Sequence, residues 1–131
     1  MTSFLKNYGL AILWAFFIFI ICTIKLEKVS GSPFFFAGFD KLVHCGLFFV
    51  LVTLCCNGFI RQLSKGISPY KSIILIMLAA IIYGGLIEIL QHYFFTWRSG
   101  EWNDLFADTI GASMASFSTI ITVRAVNYEK E

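Results

Sequence analysis

Three pairs of polar residues stand at helical spacing in a chain that otherwise avoids charge: Asp40 with His44, Glu88 with Gln91, and Asp104 with Asp108. Separations of four, three and four residues put the members of each pair on one face of a helix. Lys41 stands beside the first pair, and Arg98 lies between the second and the third. Such a set offers two chemistries. In one, Lys41 and Arg98 meet a phosphate while the carboxylates and Gln91 orient the rest of a ligand. In the other, Glu88 or His44 is a general base, and Asp104 or Asp108 completes an acid/base or metal-holding pair. The four acids Asp40, Glu88, Asp104 and Asp108 face two bases. The excess must be balanced by a proton kept on one acid, a protonated His44, a cation, or the cationic part of a ligand. No nucleophile stands at a recognisable motif, since Gly-x-Ser-x-Gly is absent.

The elements that carry these pairs are read from four apolar runs. An uncharged helix needs about 20 residues to cross the hydrocarbon layer. Tyr8 to Ile24 and Val43 to Ile60 approach that length, the second carrying only His44 as an ionisable group. A third run starts near Ser72 and reaches full span by continuing through Glu88 and Gln91 to about Phe95. The fourth, Leu105 to Val123, is broken only by Asp108. The expectation is an all-α integral membrane bundle in a single domain, residues 1–131, with helices over about 7–25, 41–60, 71–95 and 104–124. If the helices alternate in direction, the start of the second, the end of the third and the start of the fourth share one side of the membrane. All three polar pairs are at those ends. An ionisable group at the bilayer centre costs about 2.5 to 3.5 kcal/mol, so such groups are usually paired, turned inward and retained for use. Taken singly, Asp40 and Asp104 are ordinary helix-start acids and His44 a hydrogen-bonded structural histidine. Glu88 and Asp108 are harder to dismiss because their surroundings are apolar, although an inter-helix ion-pair network with Arg98 would be purely stabilising.

Composition agrees with the membrane class. The 131 residues are 58% hydrophobic and 14% charged, far from the balance of a soluble domain. A net charge of +2, scattered without a basic stripe, excludes nucleic acid as a partner. Cys22, Cys45, Cys55 and Cys56 all lie in apolar runs without metal-ligand spacing and read as small buried hydrophobes. The first run is expected to stay in the mature protein, because the charged Lys25-Leu26-Glu27-Lys28 follows it in place of a cleavage pattern. The Phe-rich connection Val29 to Phe39 reads as an interfacial loop, and Arg61 to Lys71 as a solvated one. Lys6, Arg61, Lys65, Lys71, Arg124 and Lys130 fall on one side, against Lys25, Lys28, Lys41 and Arg98 on the other. That bias favours both termini in the cytoplasm and the polar pairs outside. Gly84, Gly85, Gly111, Ala112, Ser113, Ala115 and Ser116 supply surfaces for close helix packing. Tyr93, Trp97 and Trp102 read as interfacial anchors, and His92, about 100° around the helix from Gln91, stays outside the cluster.

The order Asp40-Lys41-x-x-His44, Glu88-x-x-Gln91, Arg98, Asp104-x-x-x-Asp108-Thr109-x-Gly111 resembles the pattern of the VanZ-like family over roughly residues 40 to 115. One departure stands out: relatives more often carry asparagine at the position of Asp108, so this chain has a second acid there. The resemblance implies a bacterial cell-envelope protein, multi-pass in the inner (cytoplasmic) membrane. The family's namesake is associated with resistance to the glycopeptide teicoplanin. The functional expectation is an outward-facing site built from Asp40, Lys41, His44, Glu88, Gln91, Arg98, Asp104 and Asp108 that binds a lipid headgroup or a lipid-linked envelope ligand. An intramembrane hydrolase or transferase acting on an envelope lipid, with Glu88, His44, Asp104 and Asp108 as catalytic candidates, is the alternative. A small ion- or proton-coupled transporter is a further one, weakened by the lack of an inverted repeat or midplane broken helix. Membrane lipids are the expected partners, and no resident metal or cofactor is expected.

Overall fold

The computed structural model describes residues 3–24, 38–63, 68–95 and 100–128. Four helices make up the fold: α1 (Ser3–Thr23), α2 (Phe39–Ile60), α3 (Pro69–Phe94) and α4 (Trp102–Tyr128). Each is long and apolar enough to cross a membrane, and the protein is an all-α, multi-pass membrane bundle. At about 1.5 Å per residue, 21 to 27 residues extend roughly 32 to 40 Å, more than the hydrocarbon layer requires. The helices therefore begin three to five residues before the apolar runs, and α4 continues past Val123.

Local chemistry sets several boundaries. Gly38 precedes α2 at φ 90°, a left-handed conformation that glycine reaches without a Cβ penalty. Ser68 is extended and Pro69 opens α3, where a missing N–H costs nothing. The carbonyl of Glu101 accepts the first α4 backbone N–H groups, from Asp104 at 3.0 Å and Leu105 at 3.4 Å.

The large apolar side chains point outward. Leu13, Phe16, Leu75, Ile82, Phe106 and Phe117 are all exposed on the bundle surface, as a lipid-facing belt requires. The interior is narrower, with Ile18, Phe48, Val52, Ile73 and Ala112 fully buried. Lipid tails are as apolar as leucine, so close packing and inter-helix hydrogen bonds must hold the bundle together. Trp14 Nε1 donates to the Leu47 carbonyl at 3.0 Å, and the Tyr83 hydroxyl donates to the Ala15 carbonyl at 2.6 Å, fastening α1 to α2 and α3. The most extensive seam joins α2 to α4. There Gly111 lies so close to the Cys45 carbonyl that any Cβ would collide with it.

Consecutive helices alternate in direction. Near one end, Gly58 of α2 faces α1, where a Cβ would stand 2.7 Å from the Asn7 carbonyl oxygen. At the other end, Gln91 of α3 reaches the Cys22 carbonyl of α1. Of the cysteines, Cys22 and Cys56 are buried as anticipated, whereas Cys45 and Cys55 are only half-buried. The connection over residues 29–37, Lys65, Trp97 and Arg98 lie outside the described residues.

Candidate functional site

One end of the bundle gathers the polar residues in two layers. The outer layer is built around an ammonium group. Lys41 Nζ donates to Asp40 Oδ2 at 2.7 Å, Glu101 Oε2 at 2.8 Å and Asp104 Oδ1 at 3.0 Å. The inner layer holds His44, Glu88 and Asp108, which are 4%, 6% and 1% exposed. His44 Nδ1 is 3.0 Å from Asp108 Oδ1, and one donor atom from each of the three residues lies within 4.8 Å of the others. Asp104 joins the layers: its second oxygen, Oδ2, is 3.7 Å from His44 Nε2.

Helix spacing and close packing produce this geometry. Asp40 and His44 project from successive turns of α2, as Asp104 and Asp108 do from α4. The Gly111 contact brings those two helix starts within side-chain reach. From α3, Gly84 leaves room for an acid: a Cβ there would stand 2.7 Å from Asp108 Oδ2 and 3.1 Å from the Phe48 ring. At Gly100 a Cβ would collide with the Glu88 carbonyl, so the chain entering α4 runs directly over the end of α3. That approach lets the Glu101 backbone N–H donate to Glu88 Oε2 at 2.7 Å.

Two buried oxygens are left over. Glu88 Oε1 and Gln91 Oε1 have no hydrogen-bond partner among the described residues. A buried carboxylate oxygen without a partner is costly, more so than an amide oxygen. Formal charge points the same way. Asp40, Glu88, Glu101, Asp104 and Asp108 supply five carboxylates, against one ammonium and one imidazole among the described residues.

The anticipated residues divide into three groups. Asp40, Lys41, His44, Glu88, Asp104 and Asp108 come together in the two layers. Gln91, though fully buried one turn below Glu88, turns away: its Nε2 donates to the Cys22 carbonyl at 2.6 Å and ties α3 to α1. Arg98 lies outside the described residues. Glu101 is the residue that sequence reading missed. The sequence places the start of α4 at about 104, whereas the helix opens at Trp102, with Glu101 immediately before it. The i, i+3 spacing of Glu101 and Asp104 was the available signal.

Beside the inner layer, a groove of about 440 Å³ runs between α3 and α4, lined by Gly85, Glu88, Ile89, Tyr93, Glu101 and Trp102 among others. Its walls are mostly apolar and aromatic, and Glu88 and Glu101 are the acids among its lining residues. Exposed His92 also borders it, edge-on to the Tyr93 ring at 5.0 Å. The site can therefore hold a cation, orient a basic imidazole between carboxylates, and receive an amphipathic molecule from the side. No protein-family model, curated protein or solved structure matches the chain.

Proposed function

We propose that this chain is a cell-envelope membrane protein of the VanZ-like type whose polar site takes the headgroup of a lipid or lipid-linked envelope ligand through the groove between α3 and α4. The groove carries the reading. It is apolar along its walls, faces the side of the bundle, and reaches the buried acid Glu88. A lipid presents the complementary shape, with its chains against Ile89, Tyr93 and Trp102 and its headgroup at the acids. Lys41 is already held by three carboxylates. The complementary headgroup is thus one bearing an ammonium group, which the excess carboxylate balances; phosphate capture by Lys41 is disfavoured. On the charge bias of the flanking segments, the site faces outward from a bacterial cytoplasmic membrane with both ends of the chain inside. A link to teicoplanin-type resistance follows from the motif resemblance.

The test is lipid retention. Wild type, Glu88→Gln and Glu101→Gln are reconstituted in mixed bilayers of phosphatidylethanolamine and phosphatidylglycerol, released, and examined by native mass spectrometry. Wild type is expected to keep the amine-bearing lipid preferentially, and the variants to lose that preference. Equal retention of both lipids by wild type sinks the reading.

A second reading has one observation in its favour. His44 is flanked by Asp108 at 3.0 Å and Asp104 at 3.7 Å, an oriented imidazole of the kind a general base requires. An intramembrane hydrolase or transferase on the same ligand would use it, and lipid turnover lost in His44→Ala would distinguish catalysis from binding.

A further inference from the structure

We propose that His44, Glu88 and Asp108 form a binding site for a divalent first-row transition metal ion at the inner end of the polar cluster. The proposal does not depend on the headgroup reading. Three helices each contribute one donor, and the donor atoms lie within 4.8 Å of one another. Two ligands of one such ion, each about 2.0 to 2.2 Å from it, are about 3 to 4 Å apart. The His44–Asp108 separation of 3.0 Å already meets that spacing, and a Glu88 oxygen lies within 4.8 Å of both.

An independent observation points to a missing partner. Glu88 is 94% buried and its Oε1 has no hydrogen-bond partner among the described residues. The nearby ammonium cannot supply one, because Lys41 Nζ is spent on Asp40, Glu101 and Asp104. The same fact sets aside the outer trio of acids, whose cation is Lys41 itself. The surroundings resemble those of a metal centre. Metal-bound histidines usually have a carboxylate near their other ring nitrogen; Asp104 Oδ2 lies 3.7 Å from His44 Nε2, beyond hydrogen-bond distance but on that side of the ring, while Nδ1 faces Asp108. Glu88 Oε2 is likewise oriented by the Glu101 backbone N–H at 2.7 Å. One imidazole with two carboxylates, in a buried pocket, favours zinc, manganese or iron over magnesium or calcium, which prefer all-oxygen or largely hydrated shells.

The full chain, purified in detergent with any affinity tag removed, is stripped with chelator and titrated with cobalt(II) and zinc(II). The expected result is about one equivalent per chain, visible as a cobalt ligand-field spectrum that zinc displaces. Affinity is expected to fall at least tenfold in His44→Ala and Glu88→Gln. X-ray absorption on the wild-type cobalt complex needs no variant to fold, and a shell of one imidazole with oxygen donors supports the site. Binding of less than a tenth of an equivalent overturns the proposal, as does a shell without imidazole. Loss of the ion in Asp40→Asn with retention in Glu88→Gln would assign it to the outer trio and also overturn it.

Discussion

The backbone N–H of Glu101 donates to the side-chain Oε2 of Glu88 at 2.7 Å, so the residue just before α4 is fastened to the buried acid near the end of α3. This contact spans the short connection between the two helices and fixes one carboxylate oxygen while leaving the other without a partner among the described residues. Glu88→Gln keeps an oxygen to accept the Glu101 N–H and should alter stability by no more than about 1 kcal/mol. Glu88→Ala removes the acceptor and opens a void, and should cost about 2 to 3 kcal/mol. Unfolding in mixed micelles, compared across wild type and both variants, measures the difference. Equal stability of Gln and Ala would mean that the contact contributes nothing.

Lys41 is the sole described cation among five carboxylates, three of which it touches. Its side chain is 30% exposed, so the effect of removing it is smaller than for a fully buried ion pair. Lys41→Met is expected to destabilise by about 1 to 3 kcal/mol, most of it from Asp104, whose side chain is 5% exposed, against 51% for Asp40 and Glu101. Asp104→Asn in the Lys41→Met background should recover part of that loss, whereas Asp40→Asn should recover little. A double-mutant cycle on thermal unfolding reads the coupling. Equal rescue by the two would show that burial does not rank these acids.

Glycines separate close packing from mere helix content. Gly111→Ala drives a methyl group into the Cys45 carbonyl, and Gly84→Ala places one 2.7 Å from Asp108 Oδ2. Both are expected to cost about 1 to 3 kcal/mol through forced shifts, and both to disturb the inner cluster. At Gly9 and Gly46 a Cβ meets nothing within 4 Å. Alanine there should be neutral or stabilising by up to about 1 kcal/mol, since it favours the helix. The same thermal measurement on the four variants makes the comparison.

What the sequence revealed and what it concealed follow from the range of the interactions. Four spans were legible because hydrocarbon thickness sets a length that each apolar run either meets or fails. The gathering of Asp40, His44, Glu88, Asp104 and Asp108 was legible as a topological consequence: alternating helices bring those ends to one side, and i, i+4 spacing aligns the pairs of α2 and α4. Partner choice was not. Gln91 shares a face with Glu88, yet its bond to the Cys22 carbonyl depends on how α1 is rotated, which no periodicity in a uniformly apolar helix reveals. Glu101 was hidden by a two-residue error in the start of α4. Gly84 and Gly111 were read as packing surfaces, but their closeness to Asp108 and Cys45 shows that packing also shapes the site.

Gln91 gives a sharper test of that α1–α3 bond. Its Nε2 is a donor facing a carbonyl oxygen at 2.6 Å, in a position with no solvent exposure. Gln91→Glu would set a carboxylate oxygen against that carbonyl and should destabilise by about 2 to 4 kcal/mol. Gln91→Leu loses the bond but also removes Oε1, which has no partner among the described residues, so its cost should be smaller, about 1 to 2 kcal/mol. The order Glu worse than Leu is the expected outcome, and the reverse order would place the amide in a different orientation.

Gly85 allows the groove to be tested apart from the acids. A Cβ at this position makes only ordinary contact with Leu105, at 3.9 Å, and Gly85 touches none of the ion pairs. Gly85→Leu should therefore fold normally while its side chain fills the groove beside Glu88. If the groove admits a lipid headgroup, retention of phosphatidylethanolamine should fall at least tenfold, about 1.4 kcal/mol of binding. A metal ion held by His44, Glu88 and Asp108 should still bind, because none of its donors has changed. Any teicoplanin-susceptibility phenotype of a strain expressing the wild type should weaken with Gly85→Leu and Glu88→Gln at matched membrane levels. Unchanged lipid retention in Gly85→Leu would mean that the ligand reaches the acids from the open end of the bundle and not from its side.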